Sequence, residues 1–215
     1  MLRKACLSFL TFALLSLPSL SWGSETVIST DNGTVGCCYA ILNVYTAEAG
    51  WSQTGTFDDV TITAEIDPGT GSGLTGTAYL MTSIGPGTTT ADQIATATFT
   101  ASGAAFTAQL NTLFTGLTLG PGNYFLVLSS PDGLGWEGNE TGITPVTGAD
   151  VTFLSAESTS PNSPAAYPPA GDFSTALGNI PEFTVTAASS VPEPSSIAFL
   201  CAAMLGVGVK RRFLS

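Results

Sequence analysis

Histidine is missing from this sequence altogether, and the basic residues are confined to its two ends. The five Lys and Arg residues are Arg3, Lys4, Lys210, Arg211 and Arg212. Without His, the chain cannot form a Ser-His-Asp triad, a Cys-His nucleophile pair or a His-ligated zinc site. Because no Lys or Arg lies between the ends, phosphate clamps and Schiff-base chemistry are excluded there too. Carboxylates are the only charged side chains left to the central segment.

The charge of that segment is therefore strongly one-sided. Residues 24–190 hold fifteen of the sixteen Asp and Glu residues and no basic residue, so their formal charge is zero less fifteen, or −15. No side-chain salt bridge can form among them, and repulsion is tolerable where the carboxylates are spread over solvated loops. One interpretation is a soluble acidic surface, and the other is that some carboxylates collect divalent cations. Either way, nucleic acid and bare anionic glycans should be repelled.

Cysteine is also sparse, with four in the chain. Cys6 and Cys201 fall in terminal apolar segments, which leaves the neighbours Cys37 and Cys38. A vicinal disulfide between them would close a small strained ring, and two ordinary thiols are the alternative. Neither is expected to be a catalytic nucleophile, because no His is present to activate it.

The N-terminus has the pattern of a secretory signal peptide over residues 1–23. Arg3 and Lys4 precede an apolar stretch that ends at Leu17, and small residues then permit cleavage before Ser24 or before Trp22. An uncleaved N-terminal anchor is the alternative. We expect signal peptidase to act here and residues 24–190 to be one translocated domain, long enough for a sizeable core.

The C-terminal segment, residues 191–215, has three parts in a fixed order. A Val-Pro-Glu-Pro tetrad comes first, then an apolar span over residues 195–209, then a basic tail. The two prolines favour an extended, exposed segment, and the span is short of the roughly 20 residues that usually cross a membrane. Basic residues favour the cytoplasmic side. The pattern predicts a short transmembrane sorting helix, with a buried core helix as the alternative. The residues of the tetrad and of the tail are Val191, Pro192, Glu193, Pro194, Lys210, Arg211 and Arg212.

This tail resembles a PEP-CTERM sorting signal, which exosortases handle in Gram-negative bacteria that make exopolysaccharide. Residues 192–194 match the core of the motif, and the apolar span with Arg211 and Arg212 matches the rest. The resemblance implies a transient anchor in the inner membrane, removal of the tail near the motif by an exosortase-type enzyme, and delivery to the cell envelope, outer surface or extracellular matrix. Such signals occur on many unrelated domains, so the resemblance says nothing about the activity of the cargo.

Between the two signals, the pattern is typical of short strands. Val60, Ile62, Ala64 and Ile66 alternate with outward Thr and Glu residues, which predicts a half-buried strand. Further strands are predicted over 77–84, 94–100, 106–119 (one bent strand or two), 124–128, 150–154 and 182–186, with helix an alternative for 94–100. The continuous apolar run 124–128 predicts a strand buried on both faces, and residues 158–172 a long loop. We predict an all-β antiparallel β-sandwich that is jelly-roll-like, with an open Greek-key barrel as the alternative.

A second resemblance concerns this predicted domain. The order Trp51, Phe57-Asp-Asp-Val, Ala-Tyr-Leu and Leu-Gly-Pro-Gly-Asn-Tyr-Phe-Leu-Val-Leu is similar to bacterial choice-of-anchor surface β-sandwich modules. The glycine-tyrosine strand start is similar to that of carbohydrate-binding jelly rolls. Both resemblances imply a surface β-sandwich.

Candidate site residues are few. No cofactor is required by the pattern, and calcium is the one ion that suits a set of oxygen ligands. The candidate calcium ligands are Asp58, Asp59, Glu65, Asp67, Glu137 and Glu140. A pair such as Asp58 and Asp59 more often marks a solvated strand start than a metal site. Trp136, between Gly135 and Glu137, is a candidate stacking platform for a sugar ring, with a capping role over the core as the alternative, whereas Trp51 is expected inside.

The sequence thus predicts an exported surface or matrix protein that is not an enzyme and that associates with exopolysaccharide. Two alternatives stay open. A carbohydrate-active enzyme would use a carboxylate pair such as Glu137 with Glu140 or Asp58 with Asp59. A purely structural envelope protein would have no ligand.

Overall fold

A computed structural model describes residues 22–31, 33, 38–71, 73–139, 143–160, 165–176 and 179–192. Residues Glu25–Ala188 form one compact unit, and the second unit, Met1–Ser24 with Ser189–Ser215, lies largely outside the described residues. Strands make up about three fifths of the described chain, and its only helices are two 3-10 helices of one turn each at Thr90–Asp92 and Pro168–Ala170. Within these residues, no helix has the length and apolarity needed to cross a membrane. The predicted span 195–209 falls outside them.

The strands are β1 Trp22–Ser29, β2 Cys38–Ile41, β3 Ala47–Gln53, β4 Phe57–Asp67, β5 Leu74–Met81, β6 Gln93–Ala101, β7 Gln109–Leu119, β8 Gly122–Ser129, β9 Gly135–Asn139, β10 Val146–Thr147, β11 Val151–Thr159, β12 Phe173–Ala176, β13 Ile180–Pro181 and β14 Phe183–Pro192.

These strands form two sheets. Sheet A has the order β10-β1-β14-β4-β9-β13, with β2 beside β9 and β7 beside β4. Sheet B has the order β12-β11-β3-β8-β5-β6. The strand pairs for which a register is resolved are all antiparallel, as in the long ladders of β4 with β7 and of β5 with β6. The prediction of an all-β protein with antiparallel sheets is confirmed.

The two sheets face each other across one apolar core. Trp51 of sheet B is fully buried, stacks on Tyr124 with a ring-centroid distance of 5.5 Å, and contacts Phe183 of sheet A at 5.9 Å. The indole Nε1–H donates to Gln53 Oε1 at 3.1 Å, so its one polar atom is satisfied inside the core. The prediction that Trp51 packs inside is confirmed.

Most of the predicted strands are observed. In β4, Val60, Ile62, Ala64 and Ile66 are buried and Glu65 alternates with them, as the period of two predicts. The segment 94–100 is a strand, not a helix, and 106–119 contains one strand, β7, whose ladder with β4 is interrupted by register shifts. β8 lies between β3 and β5, where Leu126, Val127 and Leu128 are all buried. The strands that were not predicted are β1, β2, β3, β9, β10, β12 and β13.

Gly69, in the turn that follows β4, offers a first test of this fold. Its φ is +62°, and a Cβ built there would collide with the backbone carbonyl oxygen of Gly133. Because backbone cannot swing aside as a flexible side chain does, we expect Gly69→Ala to lower the free energy of unfolding by about 1–3 kcal/mol. Chemical denaturation measures this. The control is Gly71→Ala, since a Cβ at Gly71 meets no atom within 4 Å. Equal stability of the two variants would contradict this description of the turn.

Candidate functional site

A fork between two strands of sheet A brings several acidic residues together. β4 and β9 are paired at Ile66–Trp136 and at Asp67–Gly135. Beyond that point the two strands separate, and the chain around Glu182 enters between them.

The backbone of Glu182 is bonded to both sides of this fork. Its N–H donates to the carbonyl of Glu137 in β9 at 2.8 Å, and its own carbonyl accepts from the N–H of Glu65 in β4 at 3.1 Å. The neighbouring register agrees, because Phe183 faces Ala64 and Pro181 faces Gly138. Glu65, Glu182 and Glu137 therefore lie side by side across three adjacent backbone segments, and we call these three residues the glutamate row.

The side chains of the glutamate row lie on one face of sheet A. Ala64, Ile66, Trp136 and Phe183, their neighbours along the chain, all belong to the core. Since successive residues of a strand point to opposite faces, the three glutamates point away from the core. Asn139 follows Glu137 by two residues in β9, so it lies on the same face.

This face is nevertheless largely closed to solvent around the row. Glu137 and Glu182 are each 3% exposed, Asn139 is 0% exposed, and Glu65 is half-buried. The Asn139 side-chain amide donates to the carbonyl of Thr30, at the end of β1. The Thr30 hydroxyl in turn donates to the carbonyl of Pro181 at 2.6 Å and accepts from the N–H of Phe183 at 2.9 Å. Thr30 thus ties β1 to the segment that carries Glu182.

Two buried oxygens of this region have no hydrogen-bond donor. They are Oε1 of Glu182 and Oδ1 of Asn139. A buried acceptor without a donor costs free energy, so each such oxygen calls for a physical explanation.

The electrostatics of the row are unfavourable to negative charge. Burial, followed by the negative charges of Asp31, Glu65 and Glu137, raises the pKa of Glu182 to about 7. Burial and Asp31 also raise the pKa of Glu65. Because residues 22–192 contain no Lys, Arg or His, only a proton or a bound cation can offset this charge.

The candidate calcium ligands predicted from the sequence separate into two groups. Glu65 and Glu137 join the row, while Asp58 and Asp59 are exposed at the opposite end of β4, where Thr118 donates to Asp58 at 2.9 Å. Asp67 accepts from the Gly69 N–H at 2.6 Å in the turn after β4. Glu140 is outside the described residues. As the side chains stand, no group of three or more Asp, Glu or Cys side chains in the described part of the chain is arranged to hold a metal ion.

The predicted stacking role of Trp136 is contradicted by its position. Its side chain is 0% exposed and belongs to the core, and its Nε1–H donates to the carbonyl of Glu182 at 3.0 Å. The glycines beside it suggested an open loop, but β9 is paired on both sides with β4, β13 and β2 and places the ring between the sheets. A sugar ring cannot stack on an indole that has no exposed face.

Another buried carboxyl, which the sequence analysis missed, lies on sheet B. Ala47 and Ala49 of β3 face the core, so Glu48 points to the outer face, yet it is 0% exposed. Neither carboxyl oxygen has a hydrogen-bond partner of normal geometry. Burial raises the pKa of Glu48 to about 8, with Ser155 opposing and Glu157, its partner across the strands, adding to the rise. The alternation of Ala47, Ala49 and Trp51 could have revealed the strand and the outward position of Glu48, but not its burial.

The remaining predicted residues lie partly or wholly outside the described residues. Cys37 and the side chain of Cys38 are outside them, so the vicinal disulfide stays a prediction. Val191 and Pro192 form the end of β14. The other residues of the sorting segment that fall outside are Glu193, Pro194, Lys210, Arg211 and Arg212.

Comparison with known proteins identifies the sorting segment. Residues 190–212 match the PEP-CTERM protein-sorting motif, as the sequence pattern predicted. The motif implies an exported protein that is anchored at its C-terminus before an exosortase processes it. No curated protein matches the chain, and no homologue supports the resemblance to choice-of-anchor modules.

Proposed function

We propose that this chain is a surface or extracellular-matrix protein that an exosortase-type enzyme releases from a transient membrane anchor, and that its all-β domain associates with exopolysaccharide without catalysing a reaction. The match of residues 190–212 to the PEP-CTERM protein-sorting motif is the observation that carries this proposal. Sorting signals of this kind occur in bacteria that make exopolysaccharide. The exported protein would therefore be delivered to a compartment that contains this polysaccharide, which makes it the ligand that we propose.

The order of the strands supports a binding domain of the jelly-roll type. β4 has β14 on one side and β7 on the other, which gives β1-β14-β4-β7 in sheet A, and sheet B contains β3-β8-β5-β6. The chain alternates between the two sheets, and its first and last long strands, β1 and β14, are neighbours in sheet A. We infer a jelly roll of two Greek keys, an architecture that lectin domains share.

The alternative of a carbohydrate-active enzyme has less support. A glycosidase needs two carboxyl groups on opposite sides of a substrate cleft. Glu137 is 3% exposed, and Glu182, the carboxyl beside it across the strands, is buried on the same face. Substrate would not reach this group without local opening of the sheet. Binding without catalysis is therefore the function that we propose.

Co-sedimentation tests the proposal. The exported protein, purified from the producing cells, is mixed with the cells' own exopolysaccharide in calcium and again in chelator. We expect it to sediment with the polymer in calcium. If the polymer is anionic, binding should be lost in chelator, because a domain of charge −15 is repelled unless a divalent cation bridges the two.

The controls separate the three functional classes. An unrelated secreted protein of similar negative charge shows how much sedimentation cations cause by themselves. Release of reducing ends from the polymer would favour the enzyme, and Glu137→Gln should then abolish it. Absence of sedimentation in both conditions would overturn the polysaccharide proposal and leave a structural envelope protein.

A further inference from the structure

The glutamate row places like charges side by side, and residues 22–192 contain no basic side chain that could offset them. Glu65, Glu182 and Glu137 are direct neighbours across three backbone segments, where side chains stand about 5 Å apart at their Cβ atoms. Like charges placed directly opposite each other destabilise a sheet. Two of the three glutamates are nearly fully buried, so solvent screens their repulsion poorly.

Oxygen acceptors without donors mark the same place. Oε1 of Glu182, in the middle of the row, and Oδ1 of Asn139, on the same face, are both buried and unbonded. One N–H of the Asn139 side-chain amide donates to the carbonyl of Thr30. Carboxylates only accept hydrogen bonds when ionised, so an ionised Glu65 or Glu137 cannot supply the donor that Oε1 of Glu182 lacks. What the group lacks is a positive centre.

We propose that Glu65, Glu137, Glu182 and Asn139 form a binding site for a divalent cation of the calcium class, with Asp31 at its rim. All of these ligands are oxygens, which calcium prefers, whereas zinc favours nitrogen and sulfur. Calcium also tolerates irregular geometry with six to eight ligands, while magnesium demands a near-ideal octahedron. Burial of the row then has a reason, because the ion replaces the missing donors and offsets the mutual repulsion.

Binding requires the side chains to turn toward the ion. The described acidic side chains are not yet arranged around one point. The backbone, however, is fixed by the hydrogen bonds of Glu182 to both strands and by the contacts of Thr30. Glu65 is half-buried and Asp31 is exposed, so both have room to change rotamer. The backbone of the site is thus already in place, and binding of the ion requires only that the acidic side chains rotate toward it. This inference does not depend on polysaccharide binding.

Terbium luminescence on the full-length chain in non-ionic detergent tests the proposal. Terbium substitutes for calcium at oxygen sites and emits when a nearby tryptophan is excited. The Trp136 indole donates to the Glu182 carbonyl at 3.0 Å, directly across the sheet from the row. We expect tryptophan-sensitised terbium emission that calcium displaces, together with a higher melting temperature in calcium than in NaCl of equal ionic strength.

Glu182→Gln is the decisive variant because it keeps the shape of the side chain and removes one charge from the middle of the row. We expect the variant to be at least as stable as the wild type without calcium, and its affinity for terbium to fall by at least about tenfold. Its calcium-dependent rise in melting temperature should disappear. The matched control is Asp58→Asn, which removes one charge from the exposed end of the same strand and should keep both responses.

Two results would overturn the proposal. One is a calcium response of the wild type no larger than that of NaCl at equal ionic strength, which would mean general screening of the −15 domain. The other is equal terbium affinity in Glu182→Gln and the wild type, which would place the ion elsewhere on the acidic surface. Neither result decides whether the protein sediments with exopolysaccharide, so the two proposals fail separately.

Discussion

Glu48→Gln is expected to raise the free energy of unfolding at pH 9 by several kcal/mol and to leave it nearly unchanged at pH 4. Glu48 is 0% exposed on the outer face of sheet B, and neither of its carboxyl oxygens has a hydrogen-bond partner of normal geometry. Contacts with Ser155 and with the backbone of Glu157 offset its burial only in part. A buried carboxylate without a cation beside it is among the most costly groups in a folded protein. Gln has the same shape and no charge to desolvate.

The pH range of the effect follows from the direction of the shift. Burial raises the pKa of Glu48 in the folded protein from its ordinary 4.5 to about 8. Between these values the folded protein keeps a proton that the unfolded chain has lost. Stability is therefore highest at low pH and falls as the pH rises through this range, by about 1.4 kcal/mol per pH unit, and it levels off above the folded pKa. Over the whole range from 4.5 to about 8, the free energy of unfolding falls by at most about 5 kcal/mol.

The difference between variant and wild type isolates this one group. Fifteen carboxylates repel one another as the pH rises, so the wild-type curve alone sums many contributions. Urea denaturation of both proteins across pH 4 to 9 should give a difference that is near zero in acid and grows until about pH 8, where the pKa of Glu48 lies. A difference that stays flat over this range would show that Glu48 is not held neutral in the folded protein.

Glu157→Gln is the matched control for this experiment. Glu157 faces Glu48 across the β3–β11 ladder but is half-buried, so solvent already screens its charge. Removing it also removes a minor cause of the raised pKa of Glu48. We expect a change below about 1 kcal/mol at every pH. No basic side chain faces either glutamate, because residues 22–192 contain none.

Local periodicity was sufficient to predict about half of the strands, among them β4 and β8, and their buried positions. The alternation of Val60, Ile62, Ala64 and Ile66 fixed which side of β4 faces the core, and therefore also the outward position of Glu65. The unbroken apolar run in β8 predicted its place inside a sheet. These features depend on neighbours along the chain, and the sequence contains them.

The glutamate row could not be predicted in this way. Glu65, Glu137 and Glu182 are far apart in the sequence. They meet because β9 pairs with β4 and the chain around Glu182 then enters the fork between these two strands. The stacking role considered for Trp136 was wrong for the same reason, since the strands that cover it come from distant segments. Local composition describes a residue's surroundings in the chain, whereas burial depends on the long-range pairing of strands.

Trp51→Ala should lower the free energy of unfolding by about 3–5 kcal/mol, one of the two largest effects that we predict. Trp51 is fully buried and touches rings from both sheets, Tyr124 of β8 and Phe183 of β14. Its removal leaves a cavity at the point where the two sheets meet. Chemical denaturation monitored by circular dichroism measures the loss without relying on tryptophan fluorescence.

A second variant of Trp51 distinguishes the contribution of packing from that of the hydrogen bond made by its indole nitrogen. Its Nε1–H donates to Gln53 Oε1, and the Gln53 amide in turn donates to the carbonyls of Leu119 at 2.9 Å and Gly120 at 3.0 Å. Trp51→Phe keeps an aromatic ring in the core but leaves the buried Gln53 oxygen without a donor, which should cost about 1–3 kcal/mol. Phe106→Ala is the control, because the Phe106 ring is 69% exposed and its truncation should change stability little. A Trp51→Ala variant no less stable than Phe106→Ala would show that the two sheets are not held together through this ring, and the single core that buries Phe183 beside Glu182 would have to be reconsidered.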